Sequence, residues 1–102
     1  VDYLPETEEA QVLNRTVPDL EGDVIQKMVK LATAVRKQHK NGEMEATLST
    51  RVLCRWGNLL LRAPSRLDQK EQAKWSIDFA HLAAIDPVER SAIHTVLEAT
   101  FN

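Results

Sequence analysis

A chain of 102 residues, 43% hydrophobic and 27% charged, is long enough to close one hydrophobic core and too short to divide into two domains. No apolar run approaches the ~20 residues of a spanning helix, so no membrane crossing is expected. The formal charge of −2 argues against a nucleic-acid binder, and one cysteine, Cys54, excludes an internal disulfide or a thiolate metal cluster built from this chain alone.

The start, Val1-Asp2-Tyr3-Leu4, alternates like a short β-strand, yet no nearby segment offers it a partner. With Val1 in place of an initiator methionine and no leader peptide, the chain reads as excised, with residues 1–4 the end of a neighbouring domain. A lone cysteine fits a reducing cytoplasm.

The first helix is expected from Pro5, whose fixed φ suits an opening turn, to about Arg15; Glu6, Glu8 and Glu9 set negative charge against the positive end of its dipole. Val17-Pro18 forces an extended backbone before a second helix, which Asp19 or Glu21-Gly22-Asp23 opens and which runs to about His39. Its apolar face is Val24, Ile25, Met28, Val29, Leu31, Ala32 and Val35, with the lysines and Arg36 mostly opposite. Arg36, Lys37, His39 and Lys40 crowd its last turn, where cations suit the dipole, and Asn41-Gly42 ends it.

Residues 43–48 alternate acidic with apolar side chains, which permits a short strand or an extended connector. Ser49 or Thr50 caps a third helix that carries Val52, Leu53, Trp56, Leu59 and Leu60 on one face and stops before Ala63-Pro64. Asp68 opens a fourth, reaching to about Ala83 with Ala73, Ile77, Ala80 and Leu82 inward and Trp75 or Phe79 on its flank. Asp86-Pro87-Val88-Glu89 combines an N-cap, a first-turn proline and a carboxylate placed for a capping box. Five helices with short connections predict an all-α bundle, with Trp56 and Trp75 packed into it.

Catalytic constellations are missing from the sequence. His39, His81 and His94 fall on three different helices without metal-ligand spacing, so no metal site is expected; His81 and His94 read as partly buried, hydrogen-bonded residues. Cys54, among Val52, Leu53 and Trp56, reads as a core thiol. Glu8-Glu9 and Glu43/Glu45 read as solvated or dipole-paired carboxylates. No Gly-rich phosphate-binding loop is present, so the chain by itself is expected to catalyse nothing. Arg51 is the unusual residue, because a cation in the first turn of a helix opposes the local dipole unless that terminus faces an anion.

Val1-Asp2-Tyr3-Leu4-Pro5-Glu6-Thr7-Glu8-Glu9, Val17-Pro18-Asp19-Leu20, Leu48-Ser49-Thr50-Arg51 and Asp86-Pro87-Val88-Glu89-Arg90 together resemble the last third of MoxR-type AAA+ ATPases, nearest the CbbQ, NirQ and NorQ branch. The resemblance spans nearly the whole chain in the same order. It implies that residues 1–102 are a helical lid behind an upstream ATPase core, which would hold ATP and Mg2+. It further implies that Arg51 senses bound nucleotide, and that Arg55, one turn along, supports it or touches a neighbouring subunit. The resembled proteins form rings and act as chaperone-like activators of metalloenzymes, usually with a partner carrying a von Willebrand factor A domain.

Two other readings fit the same residues. One is a helical protein-interaction module with no tie to nucleotide. The other makes Ser49-Thr50-Arg51-Val52-Leu53-Cys54-Arg55-Trp56 the recognition helix of a helix-turn-helix DNA binder, against which stand the acidic balance and the long connector before it.

Overall fold

The computed structural model describes residues 4–45, 47–81 and 85–101. They form five α-helices: α1 (Glu6–Thr16), α2 (Gly22–Lys40), α3 (Thr50–Leu60), α4 (Gln69–Ala80) and α5 (Pro87–Thr100). Packing places α2 against α1, α3 and α5, while α3 lies along α4 and touches α1, and α4 meets α5. No strand occurs among the described residues, so the fold is an all-α bundle.

Each helix starts and stops for a local reason. Pro5 precedes the first turn of α1 instead of occupying it, and its carbonyl accepts the Glu9 N–H at 2.9 Å. The Val17-Pro18-Asp19-Leu20 turn then buries Val17 and Leu20, so the break between α1 and α2 is itself part of the core. All seven apolar positions expected on α2 are buried. Its end is a Schellman turn: Gly42 N–H donates to the His39 carbonyl at 3.1 Å and Glu43 N–H to that of Gln38 at 2.9 Å. The turn requires φ +78° at Gly42, a conformation glycine adopts without steric cost.

Ser49 caps α3 by accepting the Val52 N–H at 3.2 Å. Asp68 and Glu71 form a full capping box on α4, in which Asp68 accepts the Glu71 N–H at 2.8 Å and Glu71 reaches back to the Asp68 N–H at 3.3 Å. On α5 the Asp86 side chain accepts the Val88 N–H at 2.9 Å, whereas Glu89 Oε2 accepts from the Glu45 N–H, also at 2.9 Å. The carboxylate expected to close a local box thus ties α5 to the connector between α2 and α3.

Among its described residues, that connector is not a strand. A strand needs a second strand to satisfy its backbone, and here side chains serve those groups instead. His39 Nδ1 lies 3.1 Å from the Met44 carbonyl, Glu89 accepts from Glu45, and Arg36 Nε donates to the Leu48 carbonyl at 2.7 Å. Met44 and Leu48 are buried, so the segment is pinned at both ends. Residues 1–3 of the strand expected at the start lie outside the described residues, as do Leu82 and Ala83 at the expected end of α4. The regular helix stops at Ala80, before His81, whose φ of −154° leaves the helical region.

Trp56 occupies the centre of the bundle with no solvent exposure. Its Nε1–H donates to Ser76 Oγ at 2.9 Å and the Ala73 carbonyl at 3.3 Å, so its one polar group is satisfied by α4. Phe101 tilts against its ring at 5.9 Å. Beside it Gly57 lets α3 approach the turn, since a Cβ there would come within 2.8 Å of Leu20 Cδ1. Cys54 is half-buried against the same core. Trp75 departs from expectation: it is only half-buried and tilts at 5.0 Å against Phe79, which is 67% exposed. The two aromatic residues of α4 lie four apart and cover one another on its outer side, because Ala73, Ser76, Ile77 and Ala80 already take the inner one.

Two polar pairs brace α4 and α5. His94 Nε2 lies 2.7 Å from Asp78 Oδ1, and Lys74 donates to Glu98 at 2.9 Å. The Lys74 hydrogen bond holds the Glu98 carboxyl below its ordinary pKa and raises that of Lys74.

Removing the Trp56 side chain should leave a large cavity at the junction of α3, α4 and α5, and Trp56→Ala is expected to cost ~3–5 kcal/mol in urea denaturation. The two indoles should also differ in fluorescence. Trp75→Phe is expected to leave a short-wavelength emission from Trp56, and Trp56→Phe a longer-wavelength one from Trp75; the reverse order would contradict the packing described.

Candidate functional site

The exposed arginines of α3 and the buried ion pair beneath its first turn are two concentrations of charge in the bundle. From Ser49 to Leu67 the chain carries four arginines, Arg51, Arg55, Arg62 and Arg66, and no aspartate or glutamate. Arg51, Arg55, Asn58 and Arg62 are all exposed. Arg51, Arg55 and Asn58 recur at the three-and-four spacing that places residues on one face of α3, and Arg62 follows in the turn after it. A net charge of −2 for the whole chain conceals this local excess of cations. The run was legible in the sequence, as the stretch without acids that follows residue 48, but an average over 102 residues hides it.

Arg51 stands in the first turn of α3, one residue past Thr50, and is exposed. Ser49 satisfies the Val52 N–H and its carbonyl takes that of Leu53 at 3.1 Å. The N–H groups of Thr50 and Arg51 have no intrahelical acceptor, as in any first turn. A guanidinium and the positive end of a helix therefore share one patch, and no acid lies in that turn to neutralise it. Such a patch suits an anion that can accept several hydrogen bonds. Arg55 is placed differently: its Nη1 donates to the Ala80 carbonyl at 3.3 Å, the last residue of α4. It therefore stabilises a helix C-terminus, and its guanidinium links α3 to α4.

Beneath this turn lies an arrangement absent from the sequence reading. Glu9 has no solvent exposure and Arg36 has 8%. Arg36 Nη1 and Nη2 donate to Glu9 Oε1 and Oε2 at 2.7 and 2.6 Å, a bidentate pair joining α2 to α1. Glu9 Oε2 also accepts from the Thr50 hydroxyl at 2.8 Å, and Arg36 Nε reaches the Leu48 carbonyl. The expectation that Glu9 is a solvated, dipole-paired carboxylate and that Arg36 faces outward in a cluster of cations is thereby corrected. Glu9 shares the inner face of α1 with Leu13, four residues on, and Arg36 follows Val35 on the buried side of α2. Charged residues at core positions look polar in a sequence pattern, which is why periodicity assigned both to the surface.

Among the described residues, no group of three or more His, Cys, Asp or Glu is placed to hold a metal ion. Among the described residues, neither Arg51 nor Arg55 lines the two grooves described next. A groove of about 590 Å3 between α1 and α2 is lined by Glu6, Ala10, Gln11, Asn14, Ile25 and Lys30, among others. A smaller one of about 200 Å3 lies beside Leu20, Leu60 and Gln69. The arginine face of α3 is open surface.

Breaking a buried ion pair by removing one partner strands the other charge, so Arg36→Met and Glu9→Leu should each destabilise the chain by ~3–5 kcal/mol. The double replacement should cost less than the sum of the two by ~1–3 kcal/mol, as expected for residues in direct contact. Additive costs in denaturant titrations would show that the two side chains do not meet.

A profile of the CbbQ/NirQ/NorQ C-terminal family matches residues 9–100. Comparison with curated proteins finds no match. The matched segment begins at Glu9, the acid of the buried pair, and encloses all of α2 to α5. The Leu48-Ser49-Thr50-Arg51 turn and most of α1 also fall within the matched residues, and the chain belongs to the CbbQ/NirQ/NorQ C-terminal family, matching the C-terminal lid of a MoxR-type AAA+ ATPase.

Proposed function

We propose that this lid senses nucleotide through Arg51 and passes the state of bound ATP to the rest of an oligomeric ATPase. The observation that carries the reading is the exposed guanidinium in the first turn of α3, in a stretch from Ser49 to Leu67 that carries four arginines and no acid. Membership of the family supports a role as the lid of an AAA+ ATPase. A guanidinium remains charged at all physiological pH and donates paired hydrogen bonds, so it suits a terminal phosphate. ATP, with Mg2+ held by an upstream core, would supply that phosphate; the donors at this turn fit such an anion.

On this reading the lid has a differential affinity for triphosphate and diphosphate, which is the requirement for a ligand to shift a conformational equilibrium. Closure would run through the segment around Pro5, where α1 begins, and adjacent lids in a homo-oligomeric ring would carry it onward. Arg55, tied to the end of α4, would stiffen the α3–α4 unit that moves, or meet the neighbouring subunit. The parent would work as a cytoplasmic, chaperone-like activator of a metalloenzyme, with a von Willebrand factor A domain protein as partner. No helix among the described residues is long and apolar enough to cross a membrane.

A second reading, a helical interaction module independent of nucleotide, draws on the exposed Phe79 and the half-buried Trp75 paired with it on α4. A helix-turn-helix role has less support, because residues 41–49 separate α2 from α3 where that motif uses a turn of ~3–4 residues.

Arg51→Ala in the chain joined to its ATPase core tests the sensor. One or two hydrogen bonds to a charged phosphate correspond to a loss of about ten- to a hundredfold in ATP affinity, with ADP affinity changed far less. Equal losses for ATP and ADP would remove the γ-phosphate from the account, and unchanged ATP affinity and turnover would end the sensor reading.

A further inference from the structure

We infer that Thr50, Glu9 and Arg36 are positioning residues for Arg51: the buried pair holds the Thr50 hydroxyl and thereby sets the direction in which the next side chain leaves the helix. The inference rests on Arg51 acting as the nucleotide sensor. Its geometric basis is independent of that reading. Thr50 is the first residue of α3, and its hydroxyl donates inward to Glu9 Oε2 at 2.8 Å. Arg36 fixes that same carboxylate with two hydrogen bonds and also donates to the Leu48 carbonyl, two residues before Thr50.

The first turn of α3 is thus anchored at Leu48 and at Thr50 to one rigid fork. Successive helical residues are turned by about 100°. Fixing Thr50 inward therefore fixes Arg51 outward, where it is exposed. Without the anchor, the opening turn is the part of a helix most prone to fray, and its first side chains sample many directions. An ionic cluster in a core contributes little net stability compared with apolar side chains of the same size. What it supplies here is direction: planar guanidinium and carboxylate groups allow few mutual orientations, so the threonine hydroxyl has one place to bond.

The same geometry joins the sensor to α1. Glu9 lies four residues beyond Pro5, whose carbonyl accepts its N–H, so α1 and the first turn of α3 behave as one piece. A pull on Arg51 is delivered to α1 through Thr50 and Glu9, with no intervening loop to absorb it.

Thr50→Val tests this without touching the ion pair or Arg51, since valine preserves shape and removes only the hydroxyl. In the chain joined to its ATPase core, the substitution should raise KM for ATP about fivefold, the worth of one hydrogen bond, with kcat altered less than twofold. Thr50→Ser, which restores the hydroxyl, should return KM to within about twofold of the parent value. In an Arg51→Ala background, Thr50→Val should have no further effect, because a positioning residue has nothing left to position. Equal effects of Thr50→Val with and without Arg51 would overturn the positioning role while leaving the sensor in place. A silent Arg51→Ala would overturn the sensor and the positioning role together. Failure of Thr50→Ser to rescue would assign the loss to general damage and also overturn the inference. Thr50→Ala takes the place of Thr50→Val if circular dichroism shows the valine chain unfolded.

Discussion

The bidentate contact between Arg36 and Glu9 is the constraint from which the arrangement of α1, α2 and α3 follows. A glutamate without solvent exposure can remain in a helical core only where its charge is matched and its oxygens are bonded, and Arg36 and Thr50 supply three such bonds. The pair draws α1 against α2, and the remaining donors and acceptors then select what lies above it. Arg36 Nε takes the Leu48 carbonyl and Glu9 takes the Thr50 hydroxyl. The entry to α3 is thus decided by two residues that are 27 positions apart in the chain and precede it.

Around that centre the helix ends are tied to distant partners as well as to their own first turns. Glu89 of α5 accepts from Glu45 in the connector, Arg55 of α3 donates to the end of α4, and Trp56 Nε1 is satisfied by α4. Each bond satisfies a backbone or indole group, and each also crosses between elements. The bundle therefore gains its particular arrangement from polar contacts set into an apolar core, while most of its stability comes from burial of side chains such as Leu13, Met28, Leu53, Trp56 and Ile93.

For a lid this division of labour matters. A domain that is to move as a unit must resist bending between its sensing residue and the place where it is attached. Arg51 sits one residue from the ionic fork, and the fork sits one turn from Pro5. The proposed sensing surface is exposed and cationic, whereas the Glu9–Arg36 pair beneath it is buried and bonded. A family profile that covers residues 9–100 includes every residue of that support.

Much of the fold was legible from the residues in order. The all-α class, five helices, a cap at Ser49 or Thr50, the Asn41-Gly42 stop and the apolar face of α2 follow from periodicity and local chemistry, which act over one or two turns and need no knowledge of what packs where. Arg51 stood out because a cation in a first turn is a local anomaly. The tertiary structure alone decided the burial of Glu9 and Arg36, the side-chain ties that hold Met44, Glu45 and Leu48, the pairing of Trp75 with Phe79 and the tie of Arg55 to α4. Those outcomes depend on which distant group arrives to satisfy a charge, a carbonyl or a ring, and no spacing along the chain encodes an encounter between residues 9, 36 and 50.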